Sequence, residues 1–321
     1  MMDNDTLDML RTSLRHVLTE ATNVPLADRL GELGWDEVVA DDPVTALHTL
    51  FTLKGDTVSS ADALGPRLAA ALADALGDPQ LTTATVGMES PFGPSSLTDG
   101  SLTVDAVVFT PPSDNPVVVR VDGEHLAVVV GSALTCTRLT TTDGELAQFR
   151  LTGTVPASQV QCIEGATASI AWSAMVTHGR WLLACELVGI AQHVTDSAAQ
   201  YTGERIQYGK PIGTFQALQH RIATAHVLVV GAARLAEHAG HSGDEWSALV
   251  AKAVAGQAAE TACTQAQQCY GAIGFTWEHE FHHYLRRTYV LDRLLGDWRS
   301  LEREIGNELM NSRHVPKIGM L

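Results

Sequence analysis

The segment Tyr201-Thr-Gly-Glu-Arg-Ile-Gln-Tyr-Gly-Lys-Pro-Ile-Gly-Thr-Phe-Gln216 holds residue types suited to an anionic ligand. Gly203 is placed to end one helix, a Gly/Pro turn runs from Gly209 to Gly213, and Thr214 reads as the N-cap of the next helix. Arg205 beside that fresh N-terminus would bring a guanidinium and free backbone amides together, the donors that a pyrophosphate takes. Residue types alone favour the plainer alternative, a helix–turn–helix corner with one solvated Arg, because an Arg near a turn is common. A second pattern, His279-Glu280-Phe281-His282-His283, fits H-E-x-x-H. On a helix it would set His279 and His283 on one face as zinc ligands, with Glu302 as a third. The pattern is short and its flanks are charged, so histidines on a partly exposed helix are the preferred reading and no metal is expected. Glu186, within Ala-Cys-Glu-Leu-Val-Gly, is a weak catalytic candidate, since a carboxylate on an apolar stretch is more often a paired structural acid.

The elements that would carry these residues fall into three stretches. Residues 5–76 read as helical: Leu7, Leu10, Leu14 and Leu18 recur at helical spacing, as do Leu68, Ala69, Leu72 and Leu76. Gly34–Trp35 and Asp41–Asp42–Pro43 punctuate them. Residues 82–160 hold short β-branched runs, Val104–Phe109, Val117–Val121, Leu126–Val130 and Leu134–Leu139, divided by Pro111–Pro112, Asp122–Gly123 and Asp143–Gly144. Such runs predict a small antiparallel sheet or barrel. From about Ser169 to Asn311 the helical period returns, with helices expected over Ala171–Gly203, Thr214–Gly240, Asp244–Gly271 and Trp277–Leu295. The fold class is α+β, in the order N-terminal helical domain (1–80), middle β domain (81–165) and C-terminal four-helix bundle (166–321). No βαβ alternation points to a Rossmann fold.

Composition narrows the partners. The chain has 321 residues, 37 acidic and 21 basic, for a net charge of -16. Nucleic acid and anionic membrane surfaces need clustered Lys and Arg, so neither is expected as a partner. The first residues, MMDNDTLDML, lack a basic stretch leading into an apolar core, and no run approaches a membrane span. Cys136, Cys162, Cys185, Cys263 and Cys269 are scattered without CxxC spacing. They read as reduced thiols of a cytoplasmic protein.

RIQYGKPIGTFQALQHRIA closely resembles the R-x-x-F-G-x-x-x-x-x-F-Q segment of acyl-CoA dehydrogenases. The stretch Gln268-Cys-Tyr-Gly-Ala-Ile-Gly-Phe-Thr-Trp-Glu-His-Glu-Phe-His-His-Tyr-Leu-Arg-Arg287 is similar to that family's Q-x-x-G-G-x-G-F stretch, and GFTWEH…YLRR resembles its actinobacterial members. The family's order of helical, β and four-helix-bundle domains fits the three stretches above. The resemblance implies that Arg205, Gln207, Tyr208, Gln216, Gln268 and Gly271 bind the ADP half of an FAD seated in a neighbouring subunit. Ala272 stands where the second glycine of the pair is usual, and a methyl there crowds the backbone's approach to the pyrophosphate.

The departures are as informative. Neither a T-E-P-x-A-G-S-D-type loop nor a W-I-x-N-G-type strand is evident between residues 80 and 165. The family's catalytic Glu sits in a Y-E-G-T-like turn, matched here by Leu294-Leu295-Gly296-Asp297 with Leu295 at the Glu position. In other members it precedes the Arg opening the first bundle helix, and that pair is Gly179-Arg180 here. Losing a general base typically lowers a rate by about 10²–10⁴-fold. What the family gives in trans is largely retained; what it gives in cis is absent. The chain therefore resembles the smaller, degenerate subunit of heteromeric (α2β2) actinobacterial dehydrogenases of steroid-derived CoA thioesters. That resemblance implies FAD as cofactor, an acyl-CoA substrate, a second acyl-CoA dehydrogenase-like subunit and electron-transfer flavoprotein as acceptor. Two other readings are a scaffold that stabilises its partner without touching flavin, and a self-sufficient homodimer using Glu186.

Overall fold

Asp3 opens the first helix, α1 (Asn4–Thr19), by accepting the Thr6 amide at 2.8 Å, and Leu14, Val17 and Leu18 form its buried edge. The computed structural model describes residues 2–312 apart from 21, 23 and 99. Gly34, at φ +68°, separates α2 (Leu26–Glu32) from α3 (Trp35–Asp41). Asp42 caps α4 (Pro43–Asp56), and Pro43 occupies the first helical position, where its missing N–H is harmless. Helix α5 (Leu64–Leu76) follows and ends at Gly77 in the left-handed region.

Strands β1 (Thr85–Glu89), β2 (Ser96–Leu97), β3 (Ser101–Val108), β4 (Pro116–Val121), β5 (His125–Val130), β6 (Thr135–Arg138), β7 (Phe149–Pro156) and β8 (Gln161–Ile163) form one sheet. Its order is β6-β7-β3-β1-β4-β5-β8, with β2 paired to β3. Only β1 and β4 pair in parallel among the described strands. Strand β1 changes partner along its length, from β4 at Thr85 to Gly87 to β3 at Met88 and Glu89. Gly87 sits at the change, where a Cβ would lie 2.7 Å from a Val119 methyl and 2.8 Å from the Ala106 methyl. Alternate residues Leu102, Val104, Ala106 and Val108 on β3 meet Val117, Val119 and Val121 on β4 and Leu151 and Val155 on β7 in one core. That alternation is the strand period the β-branched runs encode. The expected run Leu134–Leu139 narrows to β6, because residues 131–133 form a 3-10 turn.

The chain then enters α6 (Gly165–Glu204), a small hairpin of β9 (Ile206–Gln207) and β10 (Lys210–Pro211), α7 (Gln216–Ser242), α8 (Glu245–Tyr270), α9 (Phe281–Arg293) and α10 (Trp298–Ser312). Helix α9 starts four residues later than the periodicity predicts. Gly271, at φ +63°, ends α8, a 3-10 turn covers Gly271–Phe275, and the His279 imidazole accepts the Phe281 amide at 3.1 Å. Small residues let the helices close up. Gly240 faces the Trp181 indole, whose Nε1 donates to the Ala236 carbonyl at 3.0 Å. Gly55 on α4 and Gly189 on α6 touch the other helix backbone to backbone. Residues 1–59 with 180–321 form one compact unit and residues 60–179 another, and the boundary falls inside α6. Among the described residues no helix is long and apolar enough to cross a membrane.

Candidate functional site

At the corner after α6 the backbone is fixed by a two-residue turn. Tyr208 (φ +53°) and Gly209 (φ +77°) both take left-handed dihedrals, so β9 reverses directly into β10. The Ile212 amide donates to the Arg205 carbonyl at 2.8 Å, closing the corner. Thr214 is not the N-cap that the sequence predicts. Its hydroxyl donates to the Pro211 carbonyl at 2.8 Å within a 3-10 turn, and Phe215 stands at the cap position with no side chain capping α7. The Leu218 and Gln219 amides both reach the Phe215 carbonyl. The first amides of α7, at Gln216 and Ala217, lie in the turn where a helix has no internal acceptors. Arg205, Gln207, Tyr208 and Gln216 are all exposed, Tyr208 at 91%. Lys210 lies over the Phe215 ring at 4.4 Å, and Tyr208 meets that ring edge-on at 6.2 Å.

The second motif arrives at the same end of the helices. Arg221 on α7 donates to Gln265 on α8 at 2.8 Å, so the start of α7 runs beside the end of α8. Tyr270, the last residue of α8, meets Tyr201 near the end of α6 at 5.2 Å and His279 at 4.3 Å. Gln268, Gly271 and Ala272 are exposed there. Gly271 combines φ +63° with ψ -136°, a conformation open essentially to glycine alone. The ends of α6 and α8 and the start of α7 thus bring one Arg, an uncapped helix N-terminus and amide side chains to one exposed region. That donor set suits a pyrophosphate and its sugar.

The acidic candidates lie elsewhere. Glu186 is sealed inside the helical unit at 1% exposure, with Oε1 2.6 Å from Lys54 Nζ and 3.9 Å from Arg287 Nη1. Arg287 also donates to the Ser59 carbonyl at 2.8 Å. Both cations are as buried as the carboxylate. Glu186 is therefore enclosed in an ion-pair cluster, with no oxygen presented to a substrate. Leu295 occupies the turn between α9 and α10 in a left-handed conformation, φ +55°. Arg180 Nε donates to its carbonyl at 3.1 Å, and Lys252 Nζ donates to the Gly296 carbonyl at 3.2 Å and the Asp292 carbonyl at 3.0 Å. Burial pushes the Lys252 ammonium down to about 8, against the pull of Asp292, whose own carboxyl burial raises. Asp297 accepts the Ser300 amide at 3.2 Å at the start of α10.

His279 precedes α9 and packs on Tyr270, so His279 and His283 do not share a helical face. Among the described residues no three His, Cys, Asp or Glu side chains gather as metal ligands.

Two features escaped the sequence reading. His193 on α6 stacks on Tyr284 of α9 at 4.2 Å, with Nδ1 2.9 Å from Asp56 Oδ1 on α4. Burial pushes the Asp56 carboxyl up, but the His193 hydrogen bond and the Arg15 charge together hold it below the usual range. Partners so distant in the chain leave no local signal. The second feature was legible: Glu89-Ser-Pro-Phe-Gly-Pro-Ser-Ser96 keeps Pro91 and Ser95 at the spacing of Pro and Ser in T-E-P-x-A-G-S-D. Ser95 is buried there, donating to the Asp105 carbonyl at 3.1 Å, while Phe92 is exposed under the Arg150 guanidinium at 4.3 Å.

Residues 169–306, somewhat less than half of the chain, match the acyl-CoA dehydrogenase C-terminal domain. The acyl-CoA dehydrogenase IpdE2 of Mycobacterium tuberculosis is 35% identical over 131 residues, 41% of this chain and 41% of that protein. The chain thus aligns with well under half the length of this relative. FadE34 of the same organism is 38% identical over 122 residues, 36% of this chain and 17% of that protein. A variant of the Tcur3481-Tcur3483 steroid ACAD superposes with a TM-score of 0.78 at 20% identity, covering 96% of this chain and 99% of that one. A chain of the ChsE4-ChsE5 complex from Mycobacterium tuberculosis gives 0.74 at 20% identity, covering 99% of each. These structural likenesses establish an acyl-CoA dehydrogenase-like fold.

Proposed function

We propose that this chain is one subunit of a heteromeric, FAD-dependent acyl-CoA dehydrogenase, and that it grips the ADP half of a flavin seated in its partner. The observation that carries this reading is the donor set at one end of the helices: exposed Arg205, the uncapped start of α7 at Gln216, and Gln268 and Gly271 at the end of α8. Arg205 and the first α7 amides would bind the diphosphate, and Gln207 and Gln268 would orient the sugar and chain beside it. Tyr208 would supply apolar cover from the hairpin tip. The flavin, when bound, supplies the hydride acceptor for α,β-dehydrogenation of an acyl-CoA. This chain offers no general base at the two positions where the family places one, and its buried Glu186 is paired. The proton acceptor and the ring pocket therefore belong to the partner, an acyl-CoA dehydrogenase-like chain in an α2β2 assembly. Likeness to a steroid ACAD and to the ChsE4-ChsE5 complex supports a steroid-derived acyl-CoA as substrate. Electron-transfer flavoprotein is the proposed acceptor and the cytoplasm the proposed location.

The test is flavin content of the co-purified complex for Arg205→Ala. A phosphate-binding guanidinium contributes roughly 1.5–3 kcal/mol, so FAD affinity should fall about 10- to 100-fold. Unchanged occupancy at limiting FAD, or a flavin-bound and active single chain, would overturn the reading.

A further inference from the structure

We propose that His193 is a proton-operated clamp: once protonated, it bridges Asp56 and Glu280 and holds the loop 271–280 against α6. Its bearing on the cofactor rests on the function proposed above, because Gly271 opens that loop. The motivating observation is an imidazole set between two carboxylates from different elements. Nδ1 lies 2.9 Å from Asp56 Oδ1 on α4, and Nε2 lies 3.9 Å from Oε1 of Glu280, the residue before α9. The far side of Asp56 is occupied by α1, with Arg15 Nη1 2.6 Å from Oδ2. Tyr284 on α9 fixes the ring from a third side, stacked on it at 4.2 Å while its hydroxyl donates to the Asp56 carbonyl at 2.9 Å. The His193 side chain is 28% exposed, so solvent protons reach it, and Glu280 at 65% has room to swing.

The proton count decides what Glu280 meets. Asp56 is ionised at neutral pH, because burial is outweighed by the His193 hydrogen bond and the Arg15 charge. It can then only accept, so Nδ1 carries a hydrogen in both states of the ring. In the neutral ring the lone pair is left on Nε2, facing the Glu280 carboxylate as one acceptor against another. In the imidazolium Nε2 also donates, and a positive charge stands between two negative ones. The 3.9 Å separation is just beyond a hydrogen bond, and rotation of an exposed side chain closes it. Two tyrosines nearby stay neutral. Burial, with the Glu280 and Asp56 charges, pushes the Tyr284 phenol up, and burial pushes Tyr270 on α8 up to about 12. On α6 itself, Asp196 accepts from Gln192 at 2.8 Å.

Glu280 anchors the far end of a lightly packed segment. Gly271–Phe275 is a 3-10 turn at its near end, and Phe275 and Trp277 stand 71% and 74% exposed. The Glu280 carbonyl takes the His283 amide at 2.9 Å to start α9. Drawing Glu280 to His193 therefore fastens the loop that begins at Gly271. An exposed ion pair shifts such an equilibrium about two- to fivefold.

The experiment follows amide hydrogen exchange across residues 271–280 in the full chain, corrected for the intrinsic dependence of exchange on pH. It compares about pH 8 with about pH 5.5, the span in which an imidazole ordinarily takes up its proton. His193→Gln keeps a donor for Asp56 but does not titrate, and Glu280→Gln removes the second carboxylate at an exposed position. Thermal unfolding confirms that each variant folds. Protection of the loop in the wild type should rise about two- to fivefold toward the lower pH. Both variants should abolish the rise. A wild-type loop whose protection does not rise overturns the clamp. A rise that survives His193→Gln also overturns it, since His279, His282 and His283 in or beside the loop would then be its source. A rise that survives Glu280→Gln overturns it as well, because no second carboxylate would be needed. FAD affinity of the co-purified complex is a separate readout, and should strengthen over the same span in the wild type but not in His193→Gln. Loop protection that responds while FAD affinity stays flat upholds the clamp and overturns the part of the cofactor grip assigned to Gly271.

Discussion

Replacing Glu186 by Gln separates a structural carboxylate from a catalytic one. At 2.6 Å from Lys54 and 3.9 Å from Arg287, with an effective dielectric of about 20, its gross attractions are about 6 and 4 kcal/mol. Desolvation offsets much of that sum, because all three side chains lie at 3% exposure or less. The amide keeps the volume and one acceptor but removes the negative charge beside the two cations. The expected loss is about 3–5 kcal/mol, the usual cost of leaving a buried charge uncompensated. Urea unfolding at neutral pH, followed by far-UV circular dichroism, reads it as a drop in midpoint at unchanged slope. A change under about 1 kcal/mol would refute the reasoning, since the two cations would then have been neutral or solvated. An unchanged midpoint with loss of turnover in the assembled enzyme would go further and make Glu186 the base.

Lys252 is more easily deprotonated folded, at about 8, than unfolded, at about 10.4. Between these values the unfolded chain binds more protons, so stability should rise as pH climbs from about 8 to about 10, by a few kcal/mol at most. Lys252→Met should flatten that rise in chemical denaturation curves; a rise that survives it arises elsewhere. Gly189→Ala would drive a methyl into the Thr52 carbonyl of α4. Backbone cannot rotate away as a side chain can, so a loss of about 3 kcal/mol or more is expected in thermal unfolding. A variant as stable as the parent would show that the two helices are not in contact there.

The fold was largely legible because its periods are simple. β3 alternates over most of its length, β4 and β5 are continuous apolar runs buried at successive positions, and α7 and α8 carry long helical patterns bounded by Gly243 and Gly271. Boundaries failed where side chains or turns overrode the period: the Thr214 hydroxyl turned back onto Pro211, and a 3-10 turn delayed α9. The grouping of Arg205, Gln216, Gln268 and Gly271 at one end of the helices follows from antiparallel α7 and α8, which spacing alone suggests but cannot fix. The clusters of Lys54 with Glu186 and Arg287, and of Asp56 with His193 and Tyr284, were beyond reach. Each joins positions more than a hundred residues apart, and a single sequence carries no record of such pairings.

The crossing of α4 and α6 has a consequence for how this sequence can drift. Gly55 follows Lys54 directly, and Gly189 lies one turn beyond Glu186. The backbones touch at the glycines, directly beside the buried Lys54–Glu186 pair. None of the four positions can change alone without cost: a side chain at either glycine wedges the helices apart, and a neutral residue at either charge unbalances the buried cluster they share with Arg287. Descendants of this chain should therefore keep all four residues together or replace them in concert, so that the crossing behaves as one inherited character.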